Sequence, residues 1–220
     1  MSTLEQSYQA VQQRIDNACK QSARNRSEVT LLAVSKTKPA SLVRQCYQLG
    51  QRAFGENYLQ DAMDKIESLA DLTDIEWHFI GHLQSNQSRA VAEHFHLLET
   101  LDRYKLAKRL SEQRPTSMPP LQVLLQGNIS AEAQKSGVLP QQLPQLVQQV
   151  ADLPGLTLRG LMCIPEASND DTVLRQQFLR MQQLLEQLQS QHPSMDTLSM
   201  GMSSDLELAV AYGSHQVRVG

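Results

Sequence analysis

The segment Thr30-Leu-Leu-Ala-Val-Ser-Lys36 carries the pattern on which the fold prediction depends: a short apolar run that ends at a charged residue. The run is too brief for a helix, and Pro39 follows it at a position typical of a helix's first turn. Gly50 then marks the end of that helix. The segment therefore predicts a buried strand followed by a helix, with Lys36 at the carboxyl end of the strand.

The same alternation of strand and helix repeats along the chain. Strands are predicted over 30–36, 52–55, 76–81, 95–98, 121–126, 156–161, 197–200 and 215–219, after a first helix over 4–23. Helical connections of this length join parallel strands, and eight such units close a TIM-type (β/α)8 barrel. We therefore predict an α/β protein with one barrel domain over 1–220. An open doubly wound sheet is the alternative, although the turn at 35–38 lacks a dinucleotide-binding glycine fingerprint.

Composition limits the classes of function. The 220 residues include 20 Lys and Arg against 23 Asp and Glu, so there is no basic surplus with which to neutralise nucleic-acid phosphates. The three cysteines are widely spaced and form no disulfide or zinc pattern, which favours a reducing compartment. No secretory signal or spanning segment is visible. We expect a cytoplasmic protein without nucleic-acid or membrane partners, and a monomer by default.

Lys36 is the first candidate for chemistry, because active sites of such barrels lie at the carboxyl ends of the strands. A lysine there should be partly desolvated, which disfavours its ammonium form and leaves an amine that condenses with aldehydes. The alternative is an ordinary solvated lysine. Lys38 lies two residues later, but it precedes Pro39 and has left the strand, so Lys36 is favoured.

Two further features fall at the ends of the last strands. Ser204 and Glu207 have the spacing of a capping box, which predicts a helix start and an anion-binding loop after the seventh strand. A well-capped helix without a ligand is the alternative. Arg218 alternates with valines in the eighth strand and must either face a ligand or form a structural salt bridge. Gly220 would let backbone N–H groups approach a phosphate.

Other polar residues are weaker candidates. The histidines at 78 and 82, and those at 94 and 96, lack a third ligand nearby, so structural roles are expected and no metal site is predicted. Glu56 and Asp102 lie at strand ends and suit acid–base roles, but carboxylates are common there. The cysteines are assigned no nucleophilic role.

Lys36, an anion loop and an arginine at one barrel mouth suit pyridoxal 5′-phosphate (PLP), which offers an aldehyde and a phosphate. The sequence resembles the YggS/PROSC-type PLP homeostasis protein family across nearly its whole length. The resemblance rests on AVSKTKP (33–39), FGENY (54–58), WHFIGHLQ (77–84), GLM (160–162), LSMGMS (198–203) and VRVG (217–220).

The resemblance implies a fold-type III PLP barrel, like the N-terminal domain of alanine racemase, with no catalytic residue assigned. It implies that Lys36 carries PLP as a Schiff base and that Arg218 faces the pyridine nitrogen. A permanently charged guanidinium there disfavours protonation of the ring, which makes it a weak electron sink. The other implied cofactor-binding residues are Asn57 and His82 near the ring, Met200 lining the pocket, and Ser203 and Gly220 at the phosphate.

Two functions follow from the resemblance, and a barrel that binds another phosphorylated metabolite without covalent attachment is a third possibility. The first is a non-catalytic protein that holds PLP and delivers it to apo PLP-dependent enzymes, within vitamin B6 homeostasis. The second is a PLP-dependent amino-acid racemase, which needs a second proton-transfer group. The sequence given has no residues after Gly220 to supply the separate domain that carries this group in racemases. In the family it resembles, the residue after this glycine also contacts the phosphate, so we expect either looser phosphate binding or a truncated sequence. We favour the first function over the second.

Overall fold

Parallel strands close into a complete barrel in a computed structural model that describes residues 3–130 and 136–220. The eight strands in these ranges are β1 (Thr30–Val34), β2 (Ala53–Glu56), β3 (Glu76–Phe79), β4 (Leu97–Leu101), β5 (Leu121–Gln126), β6 (Leu156–Met162), β7 (Thr197–Ser199) and β8 (Gln216–Val219). Each strand pairs in parallel with its neighbour in the chain, and β8 pairs with β1. The predicted (β/α)8 barrel is confirmed, and the open sheet is excluded.

Helices cover the outside of the barrel. They are α1 (Thr3–Gln21), α2 (Ala40–Gln48), α3 (Leu59–Ser68), α4 (Ser88–His94), α5 (Tyr104–Gln113), α6 (Leu143–Ala151), α7 (Asp171–Gln189) and α8 (Leu206–Ala211). Short 3-10 turns at 26–28, 85–87 and 140–142 precede β1, α4 and α6. The first helix is thus the predicted extra element, and it packs beside α8. Within the described residues, no helix is both long and apolar enough to cross a membrane.

The main hydrophobic core lies between the strands and the helices. Apolar residues of the strands' outer faces, such as Phe54, Leu98 and Leu125, pack there against buried residues of the helices. A much smaller apolar cluster of Leu97, Leu124 and Met162 is separate from this layer. The two clusters involve alternate positions of β4 and β5, as expected when successive side chains of a strand point to opposite faces.

The largest boundary error of the sequence analysis concerns the fourth strand. Predicted over 95–98, it runs instead over Leu97–Leu101, while Phe95 caps the end of α4. Glu99 lies in the middle of the strand and is fully buried. A charged residue is rarely buried unless it is paired, so in the sequence Glu99 indicates the end of the strand. Its partners come from other strands and cannot be identified from the local sequence.

Gly160 allows β6 to bend where its pairing with β5 shifts by one residue. Val123 pairs with Leu158 and Leu124 with Gly160, so Arg159 is bulged. Gly160 has φ +153°, and a Cβ there would lie 1.7 Å from the carbonyl oxygen of Thr197 on β7. Only glycine permits this approach of β6 to β7.

We expect Gly160→Ala to lower the free energy of unfolding by about 3 kcal/mol or more, because β6 or β7 must move away. Gly50→Ala is the matched control: Gly50 also has positive φ, +110°, but nothing lies within 4 Å of its Cβ position. That control should cost only about 1 kcal/mol. Urea unfolding of both variants measures the difference, and equal losses would contradict this steric explanation.

Candidate functional site

The residues predicted to form the site follow five neighbouring strands. Around the closed barrel the order is β7, β8, β1, β2, β3. On or after the carboxyl ends of these strands lie Met200 and Ser203 (β7), Arg218 and Gly220 (β8), Lys36 (β1), Asn57 (β2) and His82 (β3). The fold therefore places the backbone positions of all seven residues on one side of one end of the barrel. Residues that follow β4 and β5 lie on the other side.

Lys36 lies in a tight turn directly after β1. The Lys38 N–H donates to the Ser35 carbonyl at 3.0 Å, and Thr37 between them has φ +62°. The Lys36 side chain is exposed. The expectation that the protein itself desolvates this lysine is therefore wrong, because the turn carries Lys36 beyond the last hydrogen-bonded residue of the strand. Its amine is instead open to molecules from solution.

Glu56 lies beneath this turn rather than in the mouth. It is fully buried, its carboxylate accepts a hydrogen bond from the Ser35 hydroxyl, and it pairs with Lys65 of α3 at 3.0 Å. Burial raises the pKa of Glu56, and the hydrogen bonds from Ser35 and Lys65 oppose that rise. Its position suggested an acid–base role, but its contacts indicate that it supports the turn that carries Lys36. Asp102, the other such candidate, pairs with the adjacent Arg103 at 2.9 Å.

Arg218 provides a buried cation with unused hydrogen-bonding capacity. It is only 5% exposed, and its Nη2 donates to the Cys163 carbonyl at 2.8 Å. Its Nε has no hydrogen-bond partner among the described residues, and no ion pair joins Arg218 to them. The alternative of a structural salt bridge is therefore not supported within the described chain. A buried donor left unpaired is costly, and an acceptor from a ligand would remove that cost.

Asn57 carries the second unpaired buried atom. Its Oδ1 is inaccessible and has no partner among the described residues. Gly81, after β3, packs against its backbone so closely that a Cβ at 81 would lie 2.2 Å from the Asn57 carbonyl oxygen. The Gly81 carbonyl in turn accepts from the Thr100 hydroxyl at 2.7 Å. His82 follows Gly81 and is exposed at the rim.

The loop after β7 differs from its prediction. The predicted capping box is wrong, because α8 begins at Leu206, after Asp205. Glu207 forms an ion pair with Arg14 of α1 at 2.6 Å instead of a hydrogen bond with Ser204. Arg14 also donates to the Ser203 carbonyl at 2.8 Å. The first helix thus anchors this loop, and the Ser203 side chain is exposed. The spacing of Ser204 and Glu207 could not show that Glu207 binds Arg14, which lies 193 residues away in the sequence.

Met200 and Gly220 occupy contrasting environments. Met200 is fully buried in the main hydrophobic core, so its side chain contributes to packing behind the loop. Gly220 is exposed, and a Cβ there would meet only Val34, at 3.9 to 4.0 Å. Nothing in the described chain requires glycine at 220, which leaves the backbone free to approach a ligand.

An apolar cleft of about 430 Å³ adjoins this side of the barrel but is a different feature. It lies between α1 and α2, and its lining includes Leu4, Tyr8, Val11, Leu31 and Leu42. Ser35, Lys38 and Gly220 border it. Its apolar walls do not suit an anionic ligand.

A polar network that the sequence analysis missed lies inside the barrel. Glu99 accepts hydrogen bonds from Ser199 and Gln216, both at 2.6 Å, and contacts the His78 Nδ1 at 3.0 Å. The other ring nitrogen, Nε2, contacts Glu76 at 3.0 Å. These residues come from β3, β4, β7 and β8, so only a closed barrel brings them together. Arg218 adds a favourable charge that lowers the pKa of Glu99.

His78 is the charged centre of this network. Burial alone would lower its pKa, but hydrogen bonds to Glu76 and Glu99 raise the pKa of His78 to about 9. The structural role expected for this histidine is confirmed. Among the described residues there is also no cluster that could hold a metal ion, and all three cysteines are buried and form no disulfide.

Comparisons with known proteins show which family this chain belongs to. The alanine racemase N-terminal domain family matches residues 7–220. A curated pyridoxal phosphate homeostasis protein of Vibrio cholerae is 50% identical and covers 100% of this chain and 94% of its own. The structure of PipY from Synechococcus elongatus, with PLP bound, is 35% identical with a TM-score of 0.81, over 94% of this chain and 97% of that one.

The match to racemases themselves is structural. Alanine racemase from Corynebacterium glutamicum has a TM-score of 0.70 but 18% identity, over 96% of this chain and 60% of that one, so it shows the fold alone. The chain has the barrel architecture of the alanine racemase N-terminal domain. It belongs to the pyridoxal phosphate homeostasis proteins within that larger family.

The pKa of His78 predicts a pH-dependent contribution to stability. Because folding raises this pKa to about 9, the contribution is full below about pH 6.5 and is lost as pH rises through 9. The pKa of Glu99 is lowered, so its contribution to stability has the opposite pH dependence. It is fully present above about pH 4.5 and is lost as the pH falls below that value. We expect the stability difference between the protein and His78→Gln to be larger at about pH 6 than at about pH 9.5.

Urea unfolding at the two pH values measures this difference. His96→Gln is the control, because burial lowers the pKa of His96, so its own contribution should not decline over the same range. A pH-independent effect of His78→Gln would show that His78 is not charged in the folded protein.

Proposed function

We propose that this protein binds PLP at the described barrel mouth, covalently through Lys36, and serves PLP homeostasis by holding the cofactor and delivering it to apo PLP-dependent enzymes. The names of its curated relatives and the PLP-bound PipY structure support this function. The observation that carries it is a pair of buried atoms without a hydrogen-bond partner in the described chain, Arg218 Nε on β8 and Asn57 Oδ1 directly after β2, the two strands that flank β1.

The chain's residues suit the two ends of this cofactor. When bound, PLP supplies an aldehyde that reacts with a primary amine and a phosphate that needs hydrogen-bond donors. Lys36 provides the amine, and water leaves as the carbon–nitrogen bond forms. Ser203 and Gly220, which follow the adjacent strands β7 and β8, would hold the phosphate. Asn57 and His82 would flank the ring, with Met200 supporting the loop from the core.

Arg218 determines what the bound cofactor can do. Its Nε would donate to the ring nitrogen, and a permanent positive charge there opposes protonation of that nitrogen. An unprotonated ring is a weaker electron sink for a substrate carbanion, so strong amino-acid chemistry is disfavoured. We therefore assign the protein no catalytic role.

Exposure of the anchor favours release. Lys36 lies in solvent, so water or the amine of another molecule can reach the bond it forms. A carrier needs this access, whereas an enzyme that handles reactive intermediates benefits from excluding water. The recipients we propose are apo-enzymes, and we propose that the whole chain acts as one PLP-binding domain, as a monomer. The absence of disulfides among the three buried cysteines supports a cytoplasmic location.

The covalent anchor can be tested directly. Protein incubated with PLP should develop a visible absorbance band, and borohydride, which delivers hydride to the carbon of the C=N bond, should fix the adduct on the peptide containing Lys36. Lys36→Ala should abolish both signals, because the reacting amine is gone. Lys38→Ala is the control, since Lys38 is also exposed and lies only two residues later. An adduct confined to another lysine would contradict the site.

Racemisation is the alternative activity. A two-base racemase needs a second proton-transfer group opposite the lysine. Tyr58 and Tyr104, the tyrosines at this mouth, are 54% and 39% exposed, which is unsuited to holding a fixed proton donor.

We expect no enzymatic interconversion of the enantiomers of alanine, serine or glutamate above the rate of free PLP. Chiral chromatography of each amino acid after incubation with PLP-loaded protein measures this rate, with Lys36→Ala as the blank. Turnover that disappears in Lys36→Ala would establish a racemase and overturn the proposed carrier role.

A further inference from the structure

Lys65 is a buried lysine that the proposed function does not use. It lies on α3, only 3% exposed, and its Nζ contacts acceptors from three different residues. It donates to the Ser35 carbonyl at 2.6 Å, to the Glu56 carboxylate at 3.0 and 3.1 Å, and to Asp61 Oδ2 at 3.0 Å. So many acceptors around one ammonium group leave it no freedom to act as a nucleophile.

These contacts lie on both sides of Lys36 in the chain. On one side, Ser35 is held by its carbonyl through Lys65 and by its hydroxyl through Glu56. On the other side, the Thr37 N–H donates to Asp61 Oδ2 at 3.2 Å, the same oxygen that accepts from Lys65. The backbone of Lys36 is therefore fixed at both ends, while its side chain stays exposed.

The turn needs this support because Thr37 is strained. A φ of +62° is unfavourable for any residue with a Cβ, and more so for a β-branched one. Such a conformation persists only where surrounding interactions determine it. Three local interactions do so: the Thr37 N–H donates to Asp61, the Lys38 N–H donates to the Ser35 carbonyl, and the Thr37 hydroxyl donates to the Lys36 carbonyl at 2.6 Å.

We propose that Lys65, with Glu56 and Asp61, forms a positioning cluster that holds the Lys36 turn in the conformation that binds PLP. The inference rests on the proposed function, because it assigns the cluster a role toward the PLP anchor. A purely structural ion pair would attach α3 to β2 and would leave the affinity for PLP unchanged. The cluster instead connects α3 to the backbone on either side of the anchoring residue.

Asp61→Ala tests the cluster without PLP. Asp61 is partly exposed, and its removal leaves the Lys65–Glu56 pair intact. Amide hydrogen exchange measured by NMR should show the Thr37 N–H exchanging at least about tenfold faster, because its acceptor is lost. Asp64→Ala is the matched control, since Asp64 is an exposed aspartate on the same helix that accepts only from Gln60 among the described residues. Equal exchange in the two variants would overturn the inference.

The same variants test the effect on PLP. We expect Asp61→Ala to raise the dissociation constant for PLP about tenfold, the loss expected for one charge-assisted hydrogen bond. Asp64→Ala should bind as the unaltered protein does. An unchanged dissociation constant in Asp61→Ala would overturn the inference even if Thr37 exchanges faster.

Lys65→Met combined with Glu56→Gln removes the centre of the cluster without leaving a buried charge unpaired. Circular dichroism checks its fold, and we expect PLP affinity to fall at least about tenfold. If this variant does not fold, Asp61→Ala alone decides. The proposed function would be overturned if borohydride fixed no adduct on Lys36 of the unaltered protein. If the unaltered protein carries the adduct and the variants bind PLP with the same affinity, only the role of the cluster would be overturned.

Discussion

Closure of the barrel through the pairing of β8 with β1 is the constraint on which the site depends. That pairing sets Arg218 opposite Leu32 and Val219 opposite Ala33, so the end of the chain lies beside the strand that leads to Lys36. Parallel strands have their carboxyl ends at one mouth, and the closed order makes the first and last strands neighbours. Residues separated by more than 180 positions in sequence thereby share one site.

The interior of the barrel contains charged side chains, and the carboxylate of Glu99 is fully partnered. Glu99 is surrounded by donors from three other strands, and Arg218 lies close enough for its charge to lower the pKa of Glu99. Buried ions are tolerated when partners satisfy them and are costly when they do not. Arg218 Nε and Asn57 Oδ1 are exceptions, because neither has a hydrogen-bond partner in the part of the chain that the structure describes. Both belong to the motifs that indicate PLP binding.

The anchor and its support have opposite exposures. Lys36 lies in solvent, while Lys65 and Glu56 beneath it are almost completely buried. A rigid backbone under an accessible amine combines a fixed direction of approach with easy exchange of the bound group. This combination agrees better with holding and transferring a cofactor than with protecting a reactive intermediate from water.

Local patterns in the chain were enough to predict the eight strand–helix units, the lysine after the first strand and the family, because apolar periodicity and short motifs involve neighbouring residues. They failed where partners are distant: Glu207 pairs with Arg14 instead of capping its own helix, and the fourth strand extends through Glu99. The exposure of Lys36, the cluster around Lys65 and the network of His78 depended on tertiary structure alone. Burial and hydrogen bonding of a charged side chain are set by residues from other elements, and only the closed barrel brings those elements into contact.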